Sequence, residues 1–364
     1  MQKYRVGVIG ATGMVGQRFI TLLENHPWFE LKVVAASARS AGKTYAEAIN
    51  GRWQLQTPCP ESAKRLTVMD AADVDNVSSQ VDFVFCAISA SKEETRKLEE
   101  AYAKAETPVV SNNSACRGLP DVPMLIPEIN HAHTVVIAAQ RKRLGTERGF
   151  IAVKPNCSIQ SYVPALTPFL ACGIEKISVC TYQAISGAGK TFETFPEIID
   201  NVIPYIGGEE EKSEQEPLKI WGSLNTDASA IVPASQPVIS AQCLRVPASD
   251  GHMAAVSVSF ARKPAFEEML DAWANWKTLP QELGLPSAPT PFVQYMTEDN
   301  RPQTKLDRDF ERGMGVSVGR LRPDHIFDWR FVCLSHNTLR GAAGGGVLSA
   351  ELLCAQNYIQ RKGD

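Results

Sequence analysis

The sequence predicts a two-domain α/β chain. An N-terminal doubly wound parallel sheet is followed by an α+β domain with a mixed sheet, and a terminal helix returns to the first domain. Three observations predict this. Up to about residue 150, short apolar strands alternate with segments of helical spacing, the mark of a parallel sheet with right-handed crossovers. Beyond that point the strands lengthen, and AVSVSF (255–260) alternates apolar with small polar residues, as a sheet with one covered face does. The length, 364 residues, suits two domains better than one.

The elements follow in order. YRVGVI (4–9) reads as a buried strand that leads into a glycine-rich turn. Val15, Phe19, Leu22 and Leu23 then recur at i, i+4, i+7 and i+8, which is helical spacing. LKVVAAS (31–37), DFVFCAI (82–88) and TPVVSN (107–112) are further strands, and a charged helix is expected from Lys92 to about Glu106. FIAVKP (150–155) is strand-like, and 158–172 reads as a helix. Strands are expected at 177–186, 253–261, 315–323 and 328–337, with a Pro-rich, charged loop over 279–312. Leu348, Leu352, Ala355 and Ile359 place a helix at the end. The expected domains are 1–152 plus about 338–364, and 153–337.

Composition narrows the function classes. Thirty-seven basic against forty acidic residues give a net charge of -3, so no basic footprint points to nucleic acid. No apolar run is long enough to span a bilayer, and the N-terminus enters a strand at once, so neither membrane span nor secretory leader is expected. The nine cysteines are odd in number and lack a CxxC pair, which predicts reduced thiols in a cytoplasmic chain and no zinc site.

The first chemical motif is GVIGATGMVGQRF, which sets Gly10, Gly13 and Gly16 between a strand and a helix. Such a turn lets a pyrophosphate approach the backbone at a helix N-terminus, the mark of a Rossmann-like dinucleotide-binding domain. An acidic residue after the second strand would favour NAD; AASARSAGK instead offers Ser37, Arg39, Ser40 and Lys43, which suit the 2'-phosphate of NADP.

The second is KPNCSIQS (154–161). Cys157 follows a strand and precedes the helix expected from Ser158, where the helix dipole and free N–H groups favour a thiolate. Gln183 opens the glycine-rich turn QAISGAGK, and Arg245 and His252 flank a Pro-Asp-Gly bend in RVPASDGH. An imidazole there suits acid/base chemistry with a thiol, and a guanidinium suits a carboxylate. In the acidic run after Gly208, Glu209 and Lys212 share one helix face.

Taken together, GATGMVGQ, SNNSACR, PNCS, QAISGAGK, EEEK, RVPASDGH and NTLRGAAGG resemble, in order and spacing over nearly the whole chain, the aspartate-semialdehyde dehydrogenases, specifically the archaeal and fungal branch. The resemblance implies Cys157 as nucleophile, His252 as general acid/base and Gln183 as the residue that orients the acyl group. It implies Arg245 for the substrate α-carboxylate, Glu209 for its amino group, and Lys212 with Arg117 for phosphate. The candidate cofactor contacts are Gly10, Thr12, Gly13, Met14, Val15, Gly16, Ser37, Arg39, Ser40, Ser89, Ser186, Gly187 and Asn337, with no metal ligand. The implied reaction is NADPH-dependent conversion of L-aspartyl 4-phosphate to L-aspartate 4-semialdehyde through a Cys157 thioester. It belongs to the aspartate pathway to lysine, threonine, methionine and isoleucine. The resemblance also implies a homodimer or homotetramer.

Two departures from the family's pattern stand in the motifs: Ile159 where Thr is common, and Lys190-Thr191 where an aromatic residue and Pro are common. The alternative activities are malonyl-CoA reduction or reduction of another acyl phosphate on the same scaffold. A non-catalytic NADP sensor is the remote alternative, and its signature, loss of Cys157 or His252, is missing.

Overall fold

The computed structural model describes residues 2–363. The chain divides into two units: one takes the chain up to Lys154 with Leu224–Val232 and the stretch from Ala343 on, the other takes Pro155–Ser223 and Pro233–Ala342. The segment Leu224–Val232 thus belongs with the first unit, although it lies inside the stretch expected for the second domain.

In the first unit, β1 (Tyr4–Ile9), β2 (Phe29–Ala36), β3 (Val68–Asp70), β4 (Phe83–Cys86), β5 (Val109–Ser111) and β6 (Ile151–Val153) form one parallel sheet. Its order is β3-β2-β1-β4-β5-β6. The order reverses between β1 and β4, and ligands of open α/β sheets bind beyond the carboxyl ends of the strands at such a point. Helix α1 (Met14–Leu23) follows β1 with Gly13 as its N-cap, and α2 (Lys92–Lys104) starts in a capping box between Ser91 and Glu94.

The terminal helix, Gly344–Ala355, packs in this unit, and Val347, Ala350 and Leu353 join Val6, Val8, Phe19 and Phe85 in one apolar cluster. Burial on all sides explains why its one acidic residue is paired: Glu351 Oε1 lies 2.9 Å from His26 Nε2, and both residues are buried. His26 Nδ1 accepts from the N–H groups of Trp28 and Phe29, so the ring proton sits on Nε2 and is donated to Glu351.

In the second unit a mixed sheet runs β10-β7-β11-β14-β13-β12. Its strands are β7 (Ile174–Gln183), β10 (Val238–Arg245), β11 (His252–Phe260), β12 (Val293–Met296), β13 (Val316–Pro323) and β14 (Trp329–Ser335). Between β7 and β10 the chain makes helix α3 (Glu209–Ile220) and two short strands, β8 (Ser223–Leu224) and β9 (Ile231–Val232). One sheet face is covered: Trp273, on α4 (Phe266–Asn275), stands edge-on to Phe169 and Phe331 and donates to Ala165 O at 2.7 Å. The other face is half-open, and β11 alternates buried with half-buried residues along its whole length.

Two sequence expectations are corrected. The stretch 158–172 is no single α-helix: a 3₁₀ turn (Ser158–Gln160), a short helix (Tyr162–Leu166) and a second 3₁₀ turn (Thr167–Cys172) follow one another. Pro164 and Pro168 supply no N–H to an α-helical ladder there, so the ladder cannot run through. The expected loop 279–312 contains β12, a four-residue strand that pairs in parallel with β13. Local composition hides so short a strand, because its stability comes from the partner. Among the described residues no helix is long and apolar enough to cross a membrane.

The His26–Glu351 pair yields a stability prediction. Glu351→Ala leaves a buried ring N–H unanswered and is expected to cost about 3 kcal/mol. A urea titration checks this through the midpoint; an unchanged midpoint refutes the pair's structural role.

Candidate active site

The second sheet assembles the site through register. β7 and β10 run parallel with Gln183 beside Arg245, while β11 runs antiparallel to β7 and begins at His252. The ends of β7 and β10 and the start of β11 therefore meet at one sheet edge. Period two does the rest: Gln183 shares its face with buried Val179 and Thr181, His252 with Ala254 and Val256, and Arg245 with Cys243. All three side chains point into the covered face, at 1%, 0% and 8% exposure for Gln183, His252 and Arg245.

The three are held individually. His252 Nδ1 accepts from the Ala184 N–H at 3.0 Å, so the neutral ring carries its proton on Nε2. Arg245 Nη1 donates to Ala184 O at 2.7 Å. Gly187 faces both: a Cβ there would lie 3.0 Å from His252 Nε2 and 3.1 Å from Arg245 Nη1. Burial draws the Arg245 pKa down, against the pull of Cys157 and Glu209 close by. Gln183 Nε2 reaches Thr181 Oγ1 and Glu209 Oε2, each at 3.3 Å.

Cys157 stands just before the 3₁₀ turn, not at the start of an α-helix, so its setting comes from neighbouring side chains and not from a helix dipole. It is half-buried, as is Cys180, and the other seven cysteines are buried. Gly341 packs directly on it: a Cβ at 341 would lie 2.8 Å from Cys157 Cβ and 3.3 Å from its Cα. The neighbouring Arg340 is buried, donates through Nε to Gln160 Oε1 at 3.2 Å and lies over the Phe292 ring at 4.6 Å.

On α3, Lys212 Nζ donates to Glu209 Oε1 at 2.8 Å, and Asn156 Nδ2 reaches both Glu209 oxygens at 3.0 Å. Asn337 Nδ2 donates to Ser186 Oγ and its Oδ1 accepts from the Gly251 N–H, both at 2.8 Å, so the loops after β7 and before β11 are bound together at the end of β14.

The remaining candidates lie in the first unit. Gly10 has φ +87°, and a Cβ there would lie 2.3 Å from Ala87 O; a Cβ on Gly16 would lie 2.2 Å from Gly10 O. Gly13, by contrast, has only Gly10 O within reach, at 3.7 Å, so the turn is open on that side. A cavity of about 330 Å³ sits beyond the carboxyl ends of β1, β4 and β5, lined by Val15, residues 87–90, Lys92, Thr95 and residues 112–115. Ser89 is on this wall. Thr12 O accepts from Gln17 Nε2 at 3.0 Å. Ser37 and Arg39 are exposed after β2, whereas Ser40 and Met14 are buried. A glycine turn that leaves room over a helix N-terminus, a cavity at the sheet's switch point and an exposed guanidinium together fit a dinucleotide phosphate at this place.

Arg117 donates to Asn112 O at 3.1 Å in this unit. The loop that carries it is pinned by Glu99, which is fully buried and hydrogen-bonded to Ser111, Cys116 and Cys86; burial pushes its carboxyl pKa up against those bonds. Among the described residues no three His, Cys, Asp or Glu side chains gather as metal donors.

Several site residues escaped sequence reasoning: Asn156, Ser158, Ser213, Glu216 and Gly341 in the second unit, and Asn112 and Asn113 in the first. The spacing of residues 209, 213 and 216 was a readable signal, since i, i+4 and i+7 share one helix face. Nothing in the sequence shows which loop Gly341 touches.

Comparison with known proteins identifies the family. Residues 5–137 match the family "Semialdehyde dehydrogenase, NAD binding domain" and residues 166–340 match "Semialdehyde dehydrogenase, dimerisation domain". The aspartate-semialdehyde dehydrogenase of Aspergillus fumigatus is 42% identical, over 98% of this chain and 99% of its own. That of Methanothermobacter thermautotrophicus is 45% identical, over 96% and 98%. The fold is similar to that of aspartate semialdehyde dehydrogenase with NADP from Candida albicans, with TM-score 0.88, 38% identity and coverage of 98% of this chain and 100% of that one. It is also similar to aspartate semialdehyde dehydrogenase II complexed with ASA from Vibrio cholerae, with TM-score 0.73, 27% identity and coverage of 98% and 99%. With two family domains in sequence and relatives matched from end to end, the chain belongs to the aspartate-semialdehyde dehydrogenase family.

Proposed function

We propose that the chain catalyses the reductive dephosphorylation of L-aspartyl 4-phosphate to L-aspartate 4-semialdehyde with NADPH, in the cytoplasm and on the aspartate pathway. The observation that carries this reading is the meeting of Gln183, Arg245 and His252 at one sheet edge, with Cys157 and Glu209 acting on the same guanidinium. Together these residues offer a nucleophile, a hydrogen-bond donor on an imidazole, a cation for a carboxylate and an anion for an ammonium group.

In this reading the Cys157 thiolate attacks the acyl carbon, and the C–O bond to phosphate breaks, which leaves a thioester. Arg245 binds the α-carboxylate and its charge favours the thiolate; Glu209 takes the ammonium group. Lys212 and Arg117 take the phosphate. Gln183 orients the acyl group. The His252 Nε2–H, fixed by the Ala184 N–H on the opposite nitrogen, holds the oxyanion of the tetrahedral species and is the atom through which a proton reaches it. A dinucleotide held there would supply the hydride for the thioester carbon. Collapse of the tetrahedral species returns the sulfur and releases the aldehyde.

Gly10, Thr12, Gly13, Val15, Gly16 and Ser89 hold the dinucleotide in the first unit, with Ser37 and Arg39 on its 2'-phosphate. Ser186, Gly187 and Asn337 serve its nicotinamide end. Met14 and Ser40, both buried, contribute through their backbones. Two copies pair through the second unit. Support comes from the half-open face of β11 and from the exposed Ile199, Val202, Tyr205 and Val238.

Three outcomes are expected. Aspartate semialdehyde with phosphate and NADP⁺ yields NADPH, malonyl-CoA does not oxidise NADPH, and Cys157→Ala loses about 10³-fold or more of the turnover while NADP binding stays. Turnover of that variant within tenfold of wild type, or no activity on aspartate semialdehyde, sinks the reading. Gly341→Ala pushes on Cys157 and is expected to lower kcat by roughly 10- to 100-fold in steady-state assays, since small misplacements of a nucleophile are costly. Arg39→Ala is expected to weaken NADP binding about tenfold in calorimetric titration and leave NAD binding unchanged; equal losses for both would show that Arg39 does not read the 2'-phosphate.

A further inference from the structure

The segment that carries Cys157 is fastened to α3 at successive positions of one helix face. At residue 209, both carboxylate oxygens accept from Asn156 Nδ2 at 3.0 Å. At residue 213, the Ser213 hydroxyl lies 3.1 Å from that of Ser158, and its carbonyl accepts from Tyr162 Oη at 2.6 Å. The second bond has a local cause. In an α-helix the Ser213 carbonyl belongs to the N–H of residue 217, and residue 217 is proline. The missing donor leaves the carbonyl for Tyr162. At residue 216, the carboxylate accepts from the Asn156 N–H, the peptide one residue before Cys157, at 2.5 Å and in a buried setting. Asn156 Oδ1 in turn accepts from the N–H and the hydroxyl of Ser158, each at 2.7 Å. The side chain of Asn156 is thus committed on all sides, and the peptide on the N-terminal side of the thiol hangs on Glu216.

We propose that Glu216 is a positioning residue for the nucleophile: it accepts the Asn156 N–H and so fixes the Asn156–Ser158 segment, with the Cys157 sulfur, against the helix that presents Glu209 and Lys212. It touches neither substrate nor reacting atoms. Its work is done by an acceptor oxygen at one fixed reach, and the carboxylate stands two helical turns from Glu209 on the same face. The proposal rests on the reading of Cys157 as nucleophile, but its test does not.

Iodoacetamide alkylation of the full-length protein, followed peptide by peptide by mass spectrometry, reads the Cys157 sulfur directly, with the other eight cysteines as internal references. Glu216→Ala is expected to change the Cys157 rate at least fivefold and the rates at the other eight less than twofold. Its kcat is expected to fall tenfold or more, with the KM for NADP unchanged. Glu216→Gln, which keeps an oxygen at the same reach, is expected to stay within threefold of wild type in both measurements. Glu216→Asp, one methylene short, is expected to behave like Ala and covers the case in which the alanine variant does not fold. A Cys157 rate within twofold of wild type in the folded Ala or Asp variant overturns the proposal, as does a Gln variant as impaired as Asp. If Cys157→Ala keeps its turnover while the Glu216 variants still shift Cys157 alkylation, the positioning stands and the nucleophile reading falls.

Discussion

One asparagine ties the second unit's site together. Asn156 spends both side-chain groups and its main-chain N–H on partners in two directions: toward Glu209 and Glu216 on α3, and toward Ser158 beyond the cysteine. A buried amide that leaves no group unmatched has a single low-energy placement, because every alternative strands a donor or an acceptor away from water. The spacing between the thiol, the carboxylate of Glu209 and the ammonium of Lys212 is therefore set by hydrogen bonds, on a stretch of chain too broken by proline to be held by a helix.

The sheet supplies the other half of the arrangement. Register places Gln183 beside Arg245 and starts β11 at His252, and alternation turns all three side chains to the covered face. A slip by one residue in β7 or β10 would send Gln183 or Arg245 to the half-open face, so the packing of Val179, Cys243 and Ala254 into the core also fixes where these side chains point. Ala184, one residue past β7, then sets the detail: its N–H takes Nδ1 of His252 and its carbonyl takes Arg245. In the first unit the constraint is contact, since Gly10 and Gly16 bring the turn, α1 and the end of β4 closer than any side chain allows.

Much of this was legible in the sequence. The parallel-sheet alternation, the glycine turn, the cations after the second strand and the triplet of Gln183, Arg245 and His252 were all readable, because each is a local pattern or a motif with a chemical meaning. Asn156 was quoted in a motif but given no task, for an amide's task lies in its partners. Glu216 was hidden in an acidic run whose default reading is a solvated helix face. The stretch 158–172 reads as one helix in sequence, yet Pro164 and Pro168 withhold the N–H groups that a continuous ladder needs, and it breaks into three short turns.

By itself, then, the sequence determined the class of each layer, the place of the glycine turn and the candidates for reactive groups, since these depend on periodicity and on residue chemistry at short range. Only the tertiary structure decided which groups meet. Pairing of β7 with both β10 and β11, the seating of Gly341 on Cys157 and the grip of Glu209 and Glu216 on Asn156 join residues 53 to 184 positions apart, and contacts over such distances are settled by the packing of the whole unit, not by any local preference.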